Sequence, residues 1–221
     1  MKKKHLYSIK KLTHHYNSLF LKHKDSHNTA QQSSKVTQEK RMNVLIDNLT
    51  FKKNHSVLDF GCGTGHLYEI LKKKNFDGRY FGIDISDKII EFNNQKFSKN
   101  KKMNFQNIDI LNSNKLLGVY DFIFINGTFN NLTKNNWKFM TDCLKVLFKK
   151  TRTMLAFNNL SYYVDYYDKN LFYVKPEKVF YFCKKNLSQF VTLRNEYQIK
   201  KRILPFEFTT YVYKKKIVSK N

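Results

Sequence analysis

Residues 56–65 read Ser-Val-Leu-Asp-Phe-Gly-Cys-Gly-Thr-Gly, and this segment constrains the fold more than any other. Ser56 to Phe60 is a short apolar run of the kind that forms a buried parallel strand. Glycines then alternate at Gly61, Gly63 and Gly65, and helical apolar spacing begins at His66. Glycine at such positions permits a tight turn and lets a ligand approach the backbone closely. Strand, glycine loop and helix together predict a ligand held beyond the carboxyl end of a parallel strand.

Three further segments deliver polar residues to the same edge. Tyr80-Phe81-Gly82-Ile83-Asp84-Ile85 is a second apolar strand ending in an acid, and Met103 to Asp109 reads as a third. Tyr120 to Ile125 is a fourth strand, followed by Asn126-Gly127-Thr128-Phe129-Asn130. A carboxylate at Asp84 stands at the distance from the glycines that suits two ribose hydroxyls. Asp84 and Asp109 also suit the start of a helix or turn, so both structural and binding roles are open to them.

Along the chain, 6–22 and 36–49 have helical spacing, joined by a polar stretch at 23–35 that reads as mobile. Strands are predicted near 56–60, 79–84, 103–109, 120–126 and 151–157. Helices near 66–74, 87–97 and 135–149 lie between them as parallel crossovers require. After Pro176 a helix runs to about Asn186, and 190–193 and 206–213 read as two closing strands.

The ligand follows from what the glycine loop lacks. A dinucleotide fingerprint needs glycine where this chain has His66, and the charge of Asp59 opposes a pyrophosphate at the helix start. S-adenosylmethionine, which has no phosphate and carries an ammonium and a sulfonium, suits that carboxylate. Asp59, Gly61, Gly63 and Gly65 match D-x-G-x-G-x-G, and here the chain resembles the class I S-adenosylmethionine-dependent methyltransferases.

The resemblance implies a Rossmann-like, doubly wound α/β fold with a seven-stranded sheet, mostly parallel with one antiparallel strand. Residues 1–50 would form an amino-terminal helical cap and 51–221 the S-adenosylmethionine-binding methyltransferase domain. It further implies cofactor contacts from Asp59, Gly61, Gly63, Gly65, Asp84, Ile85 and Asn126. Asp109 and Ile110 would meet the adenine. A match around Gln38, Glu39 and Arg41 would bring the cap over the cofactor, with Arg41 among its contacts.

Beyond Asn126 the chain is similar to a small bacterial group of methyltransferases of poorly defined substrate, some linked to surface polysaccharide. The matching pieces are 126–130, Ala156-Phe157-Asn158-Asn159-Leu160-Ser161, Tyr173 with Pro176, Leu193-Arg194 and Glu207-Phe208-Thr209. They make Asn130, Asn158 and Tyr173 the candidate catalytic residues. The chain departs from the group in having Asn195 where a histidine is usual, and in an added basic stretch at 199–205.

Composition narrows the remaining choices. The chain has 221 residues, 41% of them hydrophobic, including 20 Phe and 14 Tyr, which suits one α/β domain with a full core. No run of 18 apolar residues exists, and the basic amino terminus lacks the apolar core of a signal peptide. The cysteines at 62, 143 and 183 form neither a disulfide framework nor a zinc pattern, so a cytoplasmic protein without a metal is expected. A net charge of +24 is compatible with a polyanion surface. However, most of the 41 basic residues are Lys, and Lys, Asn, Ile, Phe and Tyr all have A/T-rich codons. The proline-containing motif of base amino methylation is missing after the fourth strand, as is the cysteine of a cytosine-C5 mechanism. A small-molecule or sugar hydroxyl is therefore the expected acceptor. RNA or protein methylation, or a non-catalytic cofactor-binding module, are the alternatives.

Overall fold

The computed structural model describes residues 5–47, 49–113, 117–200 and 204–215. Chain order is α1 (Leu6–His23), α2 (Lys35–Leu45), β1 (Ser56–Phe60), α3 (His66–Lys73), β2 (Arg79–Asp84), α4 (Asp87–Lys96), β3 (Met103–Asn107) and α5 (Ile110–Ser113). It continues with β4 (Tyr120–Ile125), α6 (Asn136–Lys149), β5 (Thr151–Ser161), β6 (Tyr173–Val174), α7 (Pro176–Asn186), β7 (Phe190–Arg194) and β8 (Glu207–Tyr213).

The strands form one sheet in the order β3-β2-β1-β4-β5-β8-β7, with β6 paired to the end of β5. β8 alone is antiparallel to its neighbours, opposing β5 on one side and β7 on the other. The expected architecture is therefore present, with the two-residue β6 as an addition. β1 and β4 pair through Val57↔Phe122, Leu58↔Ile123 and Asp59↔Phe124, so the chain order reverses at β1 between β2 and β4. A crevice opens at such a reversal beyond the strands' carboxyl ends.

Strand alternation divides the core into two layers. Leu58, Ile123, Ile125, Leu155 and Phe157 point to one face, where α1, α6 and α7 pack. Val57, Phe122, Phe124, Met154 and Ala156 point to the other, against α2, α3 and α4. The amino-terminal helices thus join both layers: Ile9 and Leu12 of α1 enter the first, and Met42 and Leu45 of α2 the second.

The 23–35 segment, read as mobile from its polarity, takes a succession of turns pinned by side chains. Thr29 donates to the Lys24 carbonyl at 2.6 Å, and Asp25 pairs with Lys96 at 3.0 Å. Ser34 and Thr37 then form a reciprocal capping box that starts α2. β3 stops at Asn107, two residues short of the expected end. Of the basic stretch at 199–205, positions 201–203 lie outside the described residues.

Candidate active site

The loop after β1 is shaped by its backbone. Gly61 and Gly63 have φ of +74° and +50°, in the left-handed region where a side chain is strained. The two serve different purposes. A Cβ on Gly61 would stand 2.9 Å from Thr128 Cγ2 and closer still to its Oγ1, so this glycine lets the loop after β4 come near. A Cβ on Gly63 would meet nothing within 4 Å, and Gly63 faces open space in the crevice. Gly65, behind the crevice, leaves room for the Phe97 ring.

Hydrogen bonds hold this loop rigid. Gly61 and Cys62 donate their backbone N–H groups to the Ile83 carbonyl at 2.8 and 3.1 Å. Asn93 donates to the Gly63 carbonyl at 2.7 Å. Asp84, ending β2, accepts from Gly63 N at 3.1 Å and from Ser86 N at 2.9 Å. Its carboxyl is pushed above the ordinary range by desolvation, against the lowering effect of those N–H groups.

Asp59 is the second acid of the cleft. Its side chain is buried and accepts from the Tyr80 hydroxyl at 2.5 Å. Desolvation raises its pKa to about 7, opposed by the Tyr80 bond and assisted by the charge of Asp84. The cleft therefore holds two carboxylates whose ionisation is costly until a cation approaches. The Cys62 thiol is likewise pushed up by burial, which makes it a packing residue.

The cleft joins these groups to the cap. Leu12 and Tyr16 of α1, Thr29 and Ala30 of the connecting turns, and Gln38 and Met42 of α2 line one wall. Asp59 to Thr64, Asp84, Ile85 and 126–128 line the rest, around about 960 Å³ of space that includes the open mouth. His66 links the two walls: Nδ1 lies 3.3 Å from Gln38 Nε2, and Nε2 lies 3.4 Å from Asp25 Oδ1. Desolvation lowers the His66 pKa against the pull of Asp25 and Glu69, favouring the neutral ring.

At the β4 end a polar chain runs behind the lining. Asn158 accepts from Gly127 N at 2.7 Å and donates through Nδ2 to Asn126 Oδ1 at 2.9 Å. The same Nδ2 lies 3.5 Å from Glu207 Oε1. Glu207 in turn accepts from Arg41 Nε at 2.6 Å, and Arg41 also donates to Gln32 Oε1. Burial raises the Glu207 carboxyl, while the Arg41 charge and hydrogen bond restrain the rise.

The sequence-predicted residues separate accordingly. Asp59, Gly61, Gly63, Asp84, Ile85 and Asn126 line the one cleft, and Gly65 stands just behind it. Arg41 is not in the lining and is engaged by Glu207. Asp109 and Ile110, expected at the adenine, are also outside it. The Asp109 oxygens accept from Leu111 N at 3.0 Å and Asn112 Nδ2 at 2.5 Å, and the Ile110 side chain is in the core. Asn158 supports the lining from behind. The Asn130 carbonyl accepts from Phe172 N at 2.7 Å, and the Tyr173 hydroxyl accepts from Asp168 N at 3.1 Å. Tyr16 was not foreseen. It is a tyrosine on the inner face of an amphipathic helix, and its hydroxyl accepts from Asn131 Nδ2 at 2.8 Å.

S-adenosylmethionine fits these residues. Gly63 leaves backbone exposed, two carboxylates offer charge to cationic and hydroxyl groups, and Phe60, Ile85 and Ile89 supply apolar lining. Fold and cleft together define a class I S-adenosylmethionine-dependent methyltransferase. The chain belongs to the family described as methyltransferase domain, whose model matches residues 51–191.

Malonyl-[acyl-carrier protein] O-methyltransferase of Acetivibrio thermocellus is 35% identical over 94 residues, 42% of this chain, which spans only 32% of that protein's length. The putative methyltransferase Rv1506c of Mycobacterium tuberculosis is 28% identical over 165 residues, 72% of this chain and 93% of that protein. The fold is similar to that of magnesium protoporphyrin IX methyltransferase (ChlM) from Synechocystis PCC 6803 with bound SAM, at a TM-score of 0.66. Identity there is 15%, with 93% of this chain and 96% of that chain covered.

Proposed function

We propose that this protein transfers the methyl group of S-adenosylmethionine to a hydroxyl on a small molecule or sugar. The observation that carries this reading is the cap. Tyr16, Ala30, Gln38 and Met42 line the same cleft as Gly61 and Gly63, so the cap and the loop after β1 enclose it together. An acceptor that threads into such a cleft is compact.

The bound cofactor supplies a sulfonium methyl, an electrophile that needs no further activation. The chain's own residues do the rest. Asp84 would hold the ribose hydroxyls, Asp59 would balance the cationic end, and Gly63 would give close backbone approach. Leu12, Phe60 and Met42 exclude water, which aids alignment of acceptor and methyl. Because Asn158 takes up Asn126 Oδ1, the Nδ2 end of Asn126 is the one offered to the acceptor.

The test is incubation with methyl-labelled S-adenosylmethionine and a fractionated extract. Label should appear in the small-molecule or glycan fraction. The +24 charge favours a second reading, RNA methylation; label confined to RNA, or to protein, would replace the proposed acceptor. Failure of the purified protein to bind S-adenosylhomocysteine would overturn the cofactor reading itself.

A further inference from the structure

The segment that joins β5 to α7 carries an aromatic surface that the cofactor cleft does not use. Tyr162, Tyr163, Tyr166 and Tyr167 follow directly on the carboxyl end of β5 and are 45%, 55%, 77% and 44% exposed. Tyr173 adds a fifth ring, packed edge-on against Tyr167 at 4.9 Å between centroids. Four exposed tyrosines within the six positions 162–167 of an otherwise well-packed domain mark a recognition surface.

Contacts hold Tyr162, Tyr163, Tyr167 and Tyr173 in place. Tyr163 donates its hydroxyl to Glu177 Oε1 at 2.7 Å, Tyr167 donates to the Tyr162 carbonyl, and the Tyr173 hydroxyl accepts from Asp168 N at 3.1 Å. Tyr162 contacts Tyr163 edge-on at 6.0 Å and Tyr167 tilted at 5.6 Å. With the hydroxyls of Tyr163, Tyr167 and Tyr173 committed to the protein and Lys175 Nζ 5.3 Å from the Tyr162 centroid, these held rings lose little side-chain freedom when a ligand stacks beside them, and Tyr166 adds an open ring.

Position ties the surface to the cleft. Phe172 N donates to the Asn130 carbonyl at 2.7 Å, Leu132 N to the Asn170 carbonyl at 3.3 Å, and Asn131 and Leu171 form a bridge. Asn131 also donates to Tyr16, a lining residue. The tyrosine segment is thus stitched to the loop after β4, whose first residues line the cleft.

Charge selects the ligand. Within 161–178, Asp165, Asp168 and Glu177 are balanced by Lys169, Lys175 and Lys178, so this segment is neutral in a chain of net charge +24. A surface for a phosphate backbone would concentrate the abundant Lys there. Ring faces interleaved with carboxylates suit instead the C–H faces and hydroxyl groups of pyranose rings. We propose that Tyr162, Tyr163, Tyr166 and Tyr167 form an acceptor subsite for an uncharged carbohydrate, which presents a sugar hydroxyl to the cleft. This deepens the reading of a hydroxyl acceptor and rests on it.

The test uses the full chain with Tyr162→Ala/Tyr166→Ala, two exposed rings whose hydroxyls brace nothing among the described residues. Saturation-transfer NMR and affinity electrophoresis would be run with neutral glucan, xylan and chitin oligosaccharides and with oligo(U) as competitor. At least one oligosaccharide should bind the wild type, and the double substitution should weaken it about tenfold or more, the loss expected of a stacking contact. S-adenosylhomocysteine affinity, measured in parallel, should stay within about twofold. No binding by any neutral oligosaccharide, unchanged binding in the variant, or preference for oligo(U) overturns the subsite. If S-adenosylhomocysteine binds while the sugars do not, only the subsite fails; loss of both removes the underlying reading.

Discussion

The pair Arg41–Glu207 joins the cap to the last strand and allows a quantitative test. Glu207 is 2% exposed and Arg41 8% exposed, with 2.6 Å between Nε and Oε2. Glu207→Ala strands a buried guanidinium whose remaining partners are Gln32 and the Phe206 ring, 5.5 Å away. Breaking such a pair costs about 3 to 5 kcal/mol, which for a chain of this size lowers Tm by roughly 6 to 20 °C. Arg41→Met should cost less. It leaves a carboxyl that burial already raises, and this carboxyl escapes by taking up a proton, which a guanidinium cannot do by losing one. The Arg41→Met deficit should therefore shrink between pH 7.5 and 5.5, while that of Glu207→Ala should not. The double variant Arg41→Met/Glu207→Leu should be more stable than Glu207→Ala alone, because no buried charge is left unpaired. Urea unfolding at both pH values measures all three. A double variant no more stable than Glu207→Ala, or a larger loss from Arg41→Met, would refute the reasoning.

Three further outcomes are expected. Asp84→Ala should weaken S-adenosylhomocysteine binding by about 1.5 to 3 kcal/mol in titration calorimetry, the scale of hydrogen bonds to a charged group; unchanged affinity in a folded variant would remove Asp84 from the site. Gly61→Ala should cost about 2 to 4 kcal/mol in thermal unfolding, combining left-handed strain with the displaced bond from Thr128 Oγ1 to the Phe60 carbonyl. Asp59 has a folded pKa of about 7 against 3.8, so its contribution is present below about pH 4 and is lost as pH rises through 7. Wild-type stability should fall from pH 5 to 8 by about 2 to 4 kcal/mol more than that of Asp59→Asn, and parallel pH profiles would contradict the assignment.

The central strands were legible because burial on both faces leaves little choice of residue: β1 is buried throughout with Val57, Leu58 and Phe60 as its apolar residues, and the Phe122 to Ile125 run of β4 is wholly apolar. β3, at the sheet edge, carries alternating polar residues, and its end was overread by two positions because Ile108, just past the last ladder pair, is still buried and still bonds to β2 through the Asp84 carbonyl. β6 is too short to carry a period. α2 was found by spacing, but its role was obscured: Gln38 and Arg41 look like surface residues and are buried through long-range partners.

The same contrast separates the local features of the cleft from its long-range ones. A glycine at positive φ and an acid at a strand end are local requirements, so residue type and spacing expose them in Gly61, Gly63 and Asp84. Arg41 and Glu207 meet across 166 positions, and Asn126 and Asn158 across 32, which no window of sequence contains. The tyrosines met a different obstacle. In a chain rich in A/T-coded residues, Tyr at 162, 163, 166 and 167 reads as compositional drift, and Lys is as frequent in this segment as elsewhere, so it is the acids that set the segment apart. Three acids there cancel three lysines beside four exposed rings, and exposure, which only the fold supplies, turns that local neutrality into a statement about the ligand.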